Sequence, residues 1–155
     1  MNTPTQTNRL YTADQRARRD ATRWTLVQGV LAPLQFLVFI VSLALVVRYI
    51  ATGDGYQIAT ASVLVKTAFL YIIMITGAIW EKVVFGQYLL APAFFWEDVF
   101  SFGVIALHTA YLWVLFAGTD PLTQMLVALA AYAAYLINAT QFVLKLRAAR
   151  LEVAA

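Results

Sequence analysis

Residues 77–100 read GAIWEKVVFGQYLLAPAFFWEDVF. The stretch holds three carboxylates, Glu81, Glu97 and Asp98, each close to a tryptophan, Trp80 or Trp96. Both indoles are amphipathic rings that favour a membrane–water boundary. Between them Phe85, Tyr88, Phe94 and Phe95 make an aromatic connector, broken by Gly86 and Pro92. A long apolar run lies on either side. The connector therefore reads as the cytoplasmic mouth of a membrane bundle, where acid chemistry meets a flat, apolar substrate.

Working outward from the connector, the apolar runs give four spans at about 24–47, 56–80, 96–116 and 122–146. Each is long enough to cross a hydrocarbon core of ~30 Å. Before them, LYTADQRARRDATRW (10–24) opens with Thr12 and Gln15 at capping-box spacing and predicts a short interfacial helix. The fold class expected is an all-α integral membrane protein: a bundle of four transmembrane helices with that short N-terminal helix. The domain reading is a cytoplasmic segment at 1–23, the bundle at 24–146 and a cytoplasmic tail at 147–155. Met1 to Asn8 is polar, is expected to be loose, and lacks the pattern of a cleavable signal peptide.

Composition supports a membrane protein. Of the 155 residues 62% are hydrophobic and only 12% are charged, and the mean hydropathy is +0.73. That is too apolar for a soluble globule of this size. With no cysteine, disulfides, thiolate catalysis and cysteine-ligated clusters are excluded. The net charge of +3 sits at the flanks of the spans, so orientation in the bilayer explains it better than nucleic acid does. Arg9, Arg16, Arg18, Arg19, Arg23, Lys82, Lys145, Arg147 and Arg150 fall on one side and Arg48 on the other. The positive-inside rule puts both termini and the connector in the cytoplasm.

Within the spans a few polar residues stand out. Pro33 predicts a kink in the first span, and Gln28 and Gln35 share one face of it. Lys66 lies about a third of the way across the second span. An ionisable group at that depth costs ~2.5–3.5 kcal/mol on insertion scales, so it should face protein or water. Glu97, Ser101 and His108 share a face of the third span. His108 sits ~17 Å along the helix from Glu97 at ~1.5 Å per residue, at a depth similar to that of Lys66. In the fourth span Tyr135, Asn138, Gln141 and Lys145 form a stripe towards the cytoplasmic end, beside small residues that permit close helix approach.

Three segments, WTLVQGVLAP (24–33), the 77–100 stretch and AAYAAYLINATQFVLKLRAARL (130–151), resemble the 3-vinyl bacteriochlorophyllide hydratase family of photosynthetic bacteria. The likeness runs from about Leu10 to Leu151. It implies a lyase of bacteriochlorophyll synthesis in the bacterial inner, intracytoplasmic membrane. Such an enzyme adds water to the 3-vinyl group of a chlorophyllide or bacteriochlorophyllide, giving a 3-(1-hydroxyethyl) group. No catalytic residue is carried over with the resemblance.

That chemistry needs a protonated acid, a base for water and a slot for the chlorin. It needs no redox cofactor, and the magnesium belongs to the substrate. A carboxylic acid holds its proton near neutral pH when it is buried or lies beside a like charge. Glu97 is the acid expected, with Asp98 or Glu81 as base. The plain alternative is that all three cap helix ends and bind Lys82 or lipid. His108 offers an axial ligand to the substrate's magnesium, a proton shuttle or a core hydrogen bond. The pigment-contact set comprises Lys66, Phe85, Tyr88, Phe94, Phe95, Trp96, Ser101, Asn138 and Gln141, the aromatics alternatively forming an interfacial belt. The partners expected are the pigment, the bilayer, and a second copy or other pigment-biosynthesis enzymes, with no nucleic acid. Two other functions compete: a non-catalytic pigment-binding or assembly subunit, and a small channel or transporter.

Overall fold

A computed structural model describes residues 9–154; the reading of residues 1–8 falls outside them. All regular structure among the described residues is helical, with α1 at Ala13–Ala21, α2 at Arg23–Thr52, α3 at Tyr56–Phe85, α4 at Phe95–Phe116 and α5 at Pro121–Ala154. Four of them, α2 to α5, are long and apolar enough to cross a membrane.

Local chemistry sets the ends of these helices. Thr12 accepts from Gln15 N–H while the Gln15 side chain accepts from Thr12 N–H, so both arms of a capping box close over the start of α1. α2 runs through Pro33 without breaking and stops at Gly53, whose φ of +76° is left-handed. α3 stops in the same way at Gly86, φ +86°. Glycine takes that conformation at no steric cost, which is why it ends helices. Because these stops lie beyond the apolar runs, α2 and α3 extend past the expected spans by several residues, and α5 runs on to Ala154.

α2 packs along α3 and α4 along α5, giving two hairpins that meet chiefly through α2 and α5. The core holds small residues at the crossing points, Ala59, Ala128 and Ala131, with Phe39, Tyr111 and Tyr132 filling the spaces between. Without a hydrophobic drive between helices in lipid, such close packing and interhelical hydrogen bonds supply the association. Ser42 Oγ bonds both Ser62 Oγ (2.7 Å) and the Tyr132 hydroxyl (2.5 Å), joining α2, α3 and α5 at mid-depth.

The cytoplasm-facing end expected from the sequence is closed differently. A 3₁₀ turn at Pro92–Phe94 leads from the connector into α4. There Tyr11, Phe94, Val84 and Ala149 make a second small core with Trp80, Phe85 and Phe142 packed against it. Arg18 donates twice to the Val84 carbonyl, from Nε at 3.0 Å and Nη2 at 2.9 Å. It thereby covers an orphan acceptor at the end of α3. α1 is thus strapped across the connector.

Gly77 is where α2 and α3 come close, since a Cβ there would sit 3.3 Å from Gln28 Oε1. Gln28 in turn donates to Thr76 Oγ1 at 2.7 Å. Gly77→Leu should therefore overpack the hairpin and cost about 1–3 kcal/mol. Gly103, which has nothing within 4 Å, should accept Leu without loss. Unfolding by increasing SDS in mixed micelles checks the pair, and equal behaviour would show that Gly77 is no contact point.

Candidate functional site

The three connector carboxylates meet at the ends of α3 and α4. Glu81, Glu97 and Asp98 are all buried, at 5%, 7% and 3% exposure. Glu81 and Asp98 are in side-chain hydrogen-bonding contact. Two carboxyl groups can hydrogen-bond only while a proton lies between them, because an ionised carboxylate has no donor.

Each member of the pair is also held by the connector's backbone. Leu90 N–H donates to Asp98 Oδ2 at 2.8 Å, and Ala91 N–H to Glu81 Oε2 at 3.4 Å. Two successive amides pointing at acceptors form a small nest. Leu90 reaches this arrangement with φ at +61°, a left-handed conformation that costs a branched residue about 1–2 kcal/mol. Ala91 follows in extended backbone, φ −56° and ψ 140°, as the residue before a proline should.

Glu97 differs from its neighbours. Its carboxylate pairs with Lys145 Nζ at 2.9 Å. Lys145 also donates to the Ala93 carbonyl at 2.6 Å. One turn further in, Ser101 Oγ lies 2.8 Å from the Glu97 carbonyl and 3.0 Å from Asn138 Oδ1, two acceptors that share its single proton, and Asn138 Nδ2 donates to the same carbonyl at 2.9 Å. Gln141 accepts from Asn138 at 3.3 Å. Ser101, Asn138 and Gln141 thus brace α4 against α5 behind Glu97.

The aromatics divide into two groups. Phe94 is buried and stacks on Phe142 at 5.8 Å, with Phe85 and Trp80 edge-on to it. Tyr11 stacks on Phe85 at 5.8 Å. Its burial pushes the phenol's pKa up, only partly opposed by the Arg19 guanidinium 4.7 Å from the ring. Tyr88, Phe95 and Trp96 instead lie exposed, at 60%, 40% and 66%. They belong to the outer surface, where an interfacial belt would be.

Lys66 and His108 are both fully enclosed, at 0% exposure. Lys66 Nζ lies 3.6 Å from the centre of the Tyr135 ring, a cation–π contact. The His108 ring is 5.8 Å from that of Tyr132. His108 Nδ1 lies 2.8 Å from the Val104 carbonyl, an acceptor only, so this nitrogen carries the proton and Nε2 holds the free lone pair. Nε2 and Lys66 Nζ have no hydrogen-bond partner among the described residues. The lone pair has the chemistry of a magnesium ligand, but the surrounding helices would have to part for a chlorin to reach it. Among the described residues no three His, Asp or Glu side chains gather into a metal-holding group.

Sequence reasoning placed the carboxylates together but missed Lys145 as the partner of Glu97, along with the two connector amides and Tyr11. Lys145 was visible as the end of the Asn138–Gln141 stripe. Nothing in the sequence joined that stripe to Glu97.

Comparison with known proteins bears on these residues. The profile of the 2-vinyl bacteriochlorophyllide hydratase family matches residues 11–148. A protein of Cereibacter sphaeroides named 2-vinyl bacteriochlorophyllide hydratase is 75% identical over 147 residues, covering 95% of this chain and 92% of the relative. A Rhodobacter capsulatus protein of the same name is 72% identical over 145 residues, covering 94% and 85%. No solved structure matches the chain.

The Glu97–Lys145 pair should be energetically coupled. In a double-mutant cycle of Glu97→Gln and Lys145→Met, unfolding in mixed micelles should give a coupling of about 0.5–3 kcal/mol. Strictly additive single losses would mean that the pair contributes nothing jointly.

Proposed function

The chain belongs to the 2-vinyl bacteriochlorophyllide hydratase family, and we propose that the Glu81–Asp98 pair supplies the proton with which it adds water to the vinyl group. The observation that carries this reading is the contact between those two carboxyl groups, each steered by a connector amide. The proton is transferred to the terminal vinyl carbon. Positive charge develops on the carbon attached to the macrocycle, which delocalises it. Water adds there and gives up a proton, leaving a 1-hydroxyethyl group. Atoms balance as alkene plus water, with no change of oxidation state and no redox cofactor. The magnesium arrives with the pigment.

Glu97, expected from the sequence to be the acid, is better suited to the opposite task. It is ion-paired with Lys145 at 2.9 Å, and a carboxylate so placed has the lone pairs to accept the proton that water loses. A hydrogen-bonded acid pair beside a separate ionised carboxylate is a common way to divide acid and base roles. Phe85 and Pro92, which line a cavity beside the connector, would form the wall against which the ring lies. We place the protein in the inner, intracytoplasmic membrane with both termini cytoplasmic, supported by the arginines flanking α1 and the lysines at the connector.

Glu81→Gln and Asp98→Asn should each retain pigment binding while turnover falls by about 10²–10⁴-fold, the usual contribution of general acid catalysis. In heavy water the new methyl group should carry deuterium. If Glu97→Gln alone abolishes turnover while the other two variants keep it, the assignment of the acid is wrong. Orientation is tested separately in this cysteine-free chain. Gln87→Cys should react with an impermeant thiol reagent from the cytoplasm and Asp54→Cys only from the far side. The reverse pattern would invert the topology.

A further inference from the structure

The N-terminal arm carries a cationic edge that the hydration chemistry does not use. A cavity of about 510 Å³ opens between the arm, the connector and the end of α5, lined by Arg9, Leu10, Phe85, Pro92, Lys145 and Glu152 among others. That volume falls within the ~300–1,000 Å³ range of ligand sites. Arg9 also lines a smaller cavity of about 50 Å³ beside it, together with Tyr11, Thr12 and Arg16. Arg16 Nε is buried there and has no hydrogen-bond partner among the described residues. A buried guanidinium donor without an acceptor is costly, and such groups are normally satisfied.

Two other charged side chains line the larger cavity. Glu152 Oε2 accepts from Leu10 N–H at 3.1 Å, and Lys145 is held by Glu97 and Ala93. Arg9 and Arg16 form no salt bridge among the described residues. Arg16 lies in the first turn of α1, which also carries Asp14, and Arg9 precedes the helix. An anionic oxygen group fits this edge, and guanidinium is the side chain best matched to a carboxylate. The apolar wall of Phe85 and Pro92 continues from it towards Lys145 and Glu97.

We propose that Arg9 and Arg16 bind the free propionate carboxylate of the pigment, so that this edge selects the unesterified bacteriochlorophyllide over its esters. The proposal rests on the hydratase reading, because that reading supplies a substrate with a flat ring and an ionised arm. The ring lies along the apolar wall, and the arm reaches out to the arginines at the membrane surface. Esterification removes the charge and leaves Arg16 Nε only a neutral ester oxygen, a weaker acceptor than a carboxylate.

The test uses the full chain in nanodiscs, titrated with vinyl bacteriochlorophyllide and with its methyl ester, following quenching of tryptophan fluorescence. The wild type should bind the free acid about tenfold more tightly or better, the scale of a hydrogen bond to a charged group. Arg9→Gln combined with Arg16→Gln should lower affinity for the free acid to that for the ester. Its affinity for the ester should match the wild type's, which also shows that the variant is folded. Lys at both positions should restore part of the preference. Equal binding of acid and ester by the wild type, or an undiminished preference in the Gln variant, overturns the proposal. So does a Gln variant that keeps its pigment preference but loses association with phosphatidylglycerol, since the arginines would then serve lipid headgroups. A wild type that prefers the free acid yet adds no water to it would sink the hydratase reading and leave this site standing.

Discussion

Three carboxyl groups buried in one place at the edge of a membrane bundle are the constraint from which the rest of the connector follows. Glu81, Glu97 and Asp98 are each under 10% exposed, and water cannot dissipate their mutual repulsion. The fold answers with three devices. Lys145 is brought from the far end of α5 to neutralise Glu97. Glu81 and Asp98 are placed side by side, where a shared proton would convert repulsion into a hydrogen bond. Two backbone amides, those of Leu90 and Ala91, supply the remaining partial positive charge. Removing any one device leaves a buried charge or acceptor unmatched, which is the expensive case.

The connector's shape serves this arrangement. Leu90 is forced into a left-handed conformation, and Pro92 keeps Ala91 extended, so that two successive N–H groups turn towards the acids. Local strain of about 1–3 kcal/mol persists only where its surroundings over-determine it. Here the surroundings are the Phe94–Phe142 stack, the Tyr11–Phe85 stack and the double hydrogen bond of Arg18 to Val84. The arm and α1 therefore belong to the site and do not merely precede the first span.

How much of this could be read in the chain follows from the range of each interaction. Four spans were legible because apolar run length against bilayer thickness is a local property, as was the capping box of Thr12 and Gln15. The enclosed positions of Lys66 and His108 were legible from the cost of charge in hydrocarbon. The helix ends were not, because Gly53 and Gly86 act as stops only where the chain needs a left-handed residue. The Glu97–Lys145 pair joins residues 48 apart in sequence, and periodicity on one helix says nothing of which helix faces it. Leu90 carried no signal, since leucine is an unfavourable choice for its φ. The separation of Phe85 and Phe94 from Tyr88, Phe95 and Trp96 depends on how the connector folds back, which composition does not encode.

The same charge arrangement bears on why an alkene could be hydrated here. Protonating a vinyl group creates a cation, and the barrier falls when negative charge is already placed where that cation forms. Once the Glu81–Asp98 pair gives up its proton, both of its carboxyls and Glu97 are anionic, with Lys145 as one fixed counter-charge. The site becomes more negative as the substrate becomes positive. Among buried groups that attraction is stronger than it would be in bulk solvent. The connector amides, held by strain and packing, do not have to reorganise while this happens, so they stabilise the anionic pair without competing for the substrate. Water then meets a cation beside the Lys145-paired Glu97 carboxylate; the proton it sheds there restores the site's net charge, and it has to pass from Glu97 to the Glu81–Asp98 pair before the next turnover.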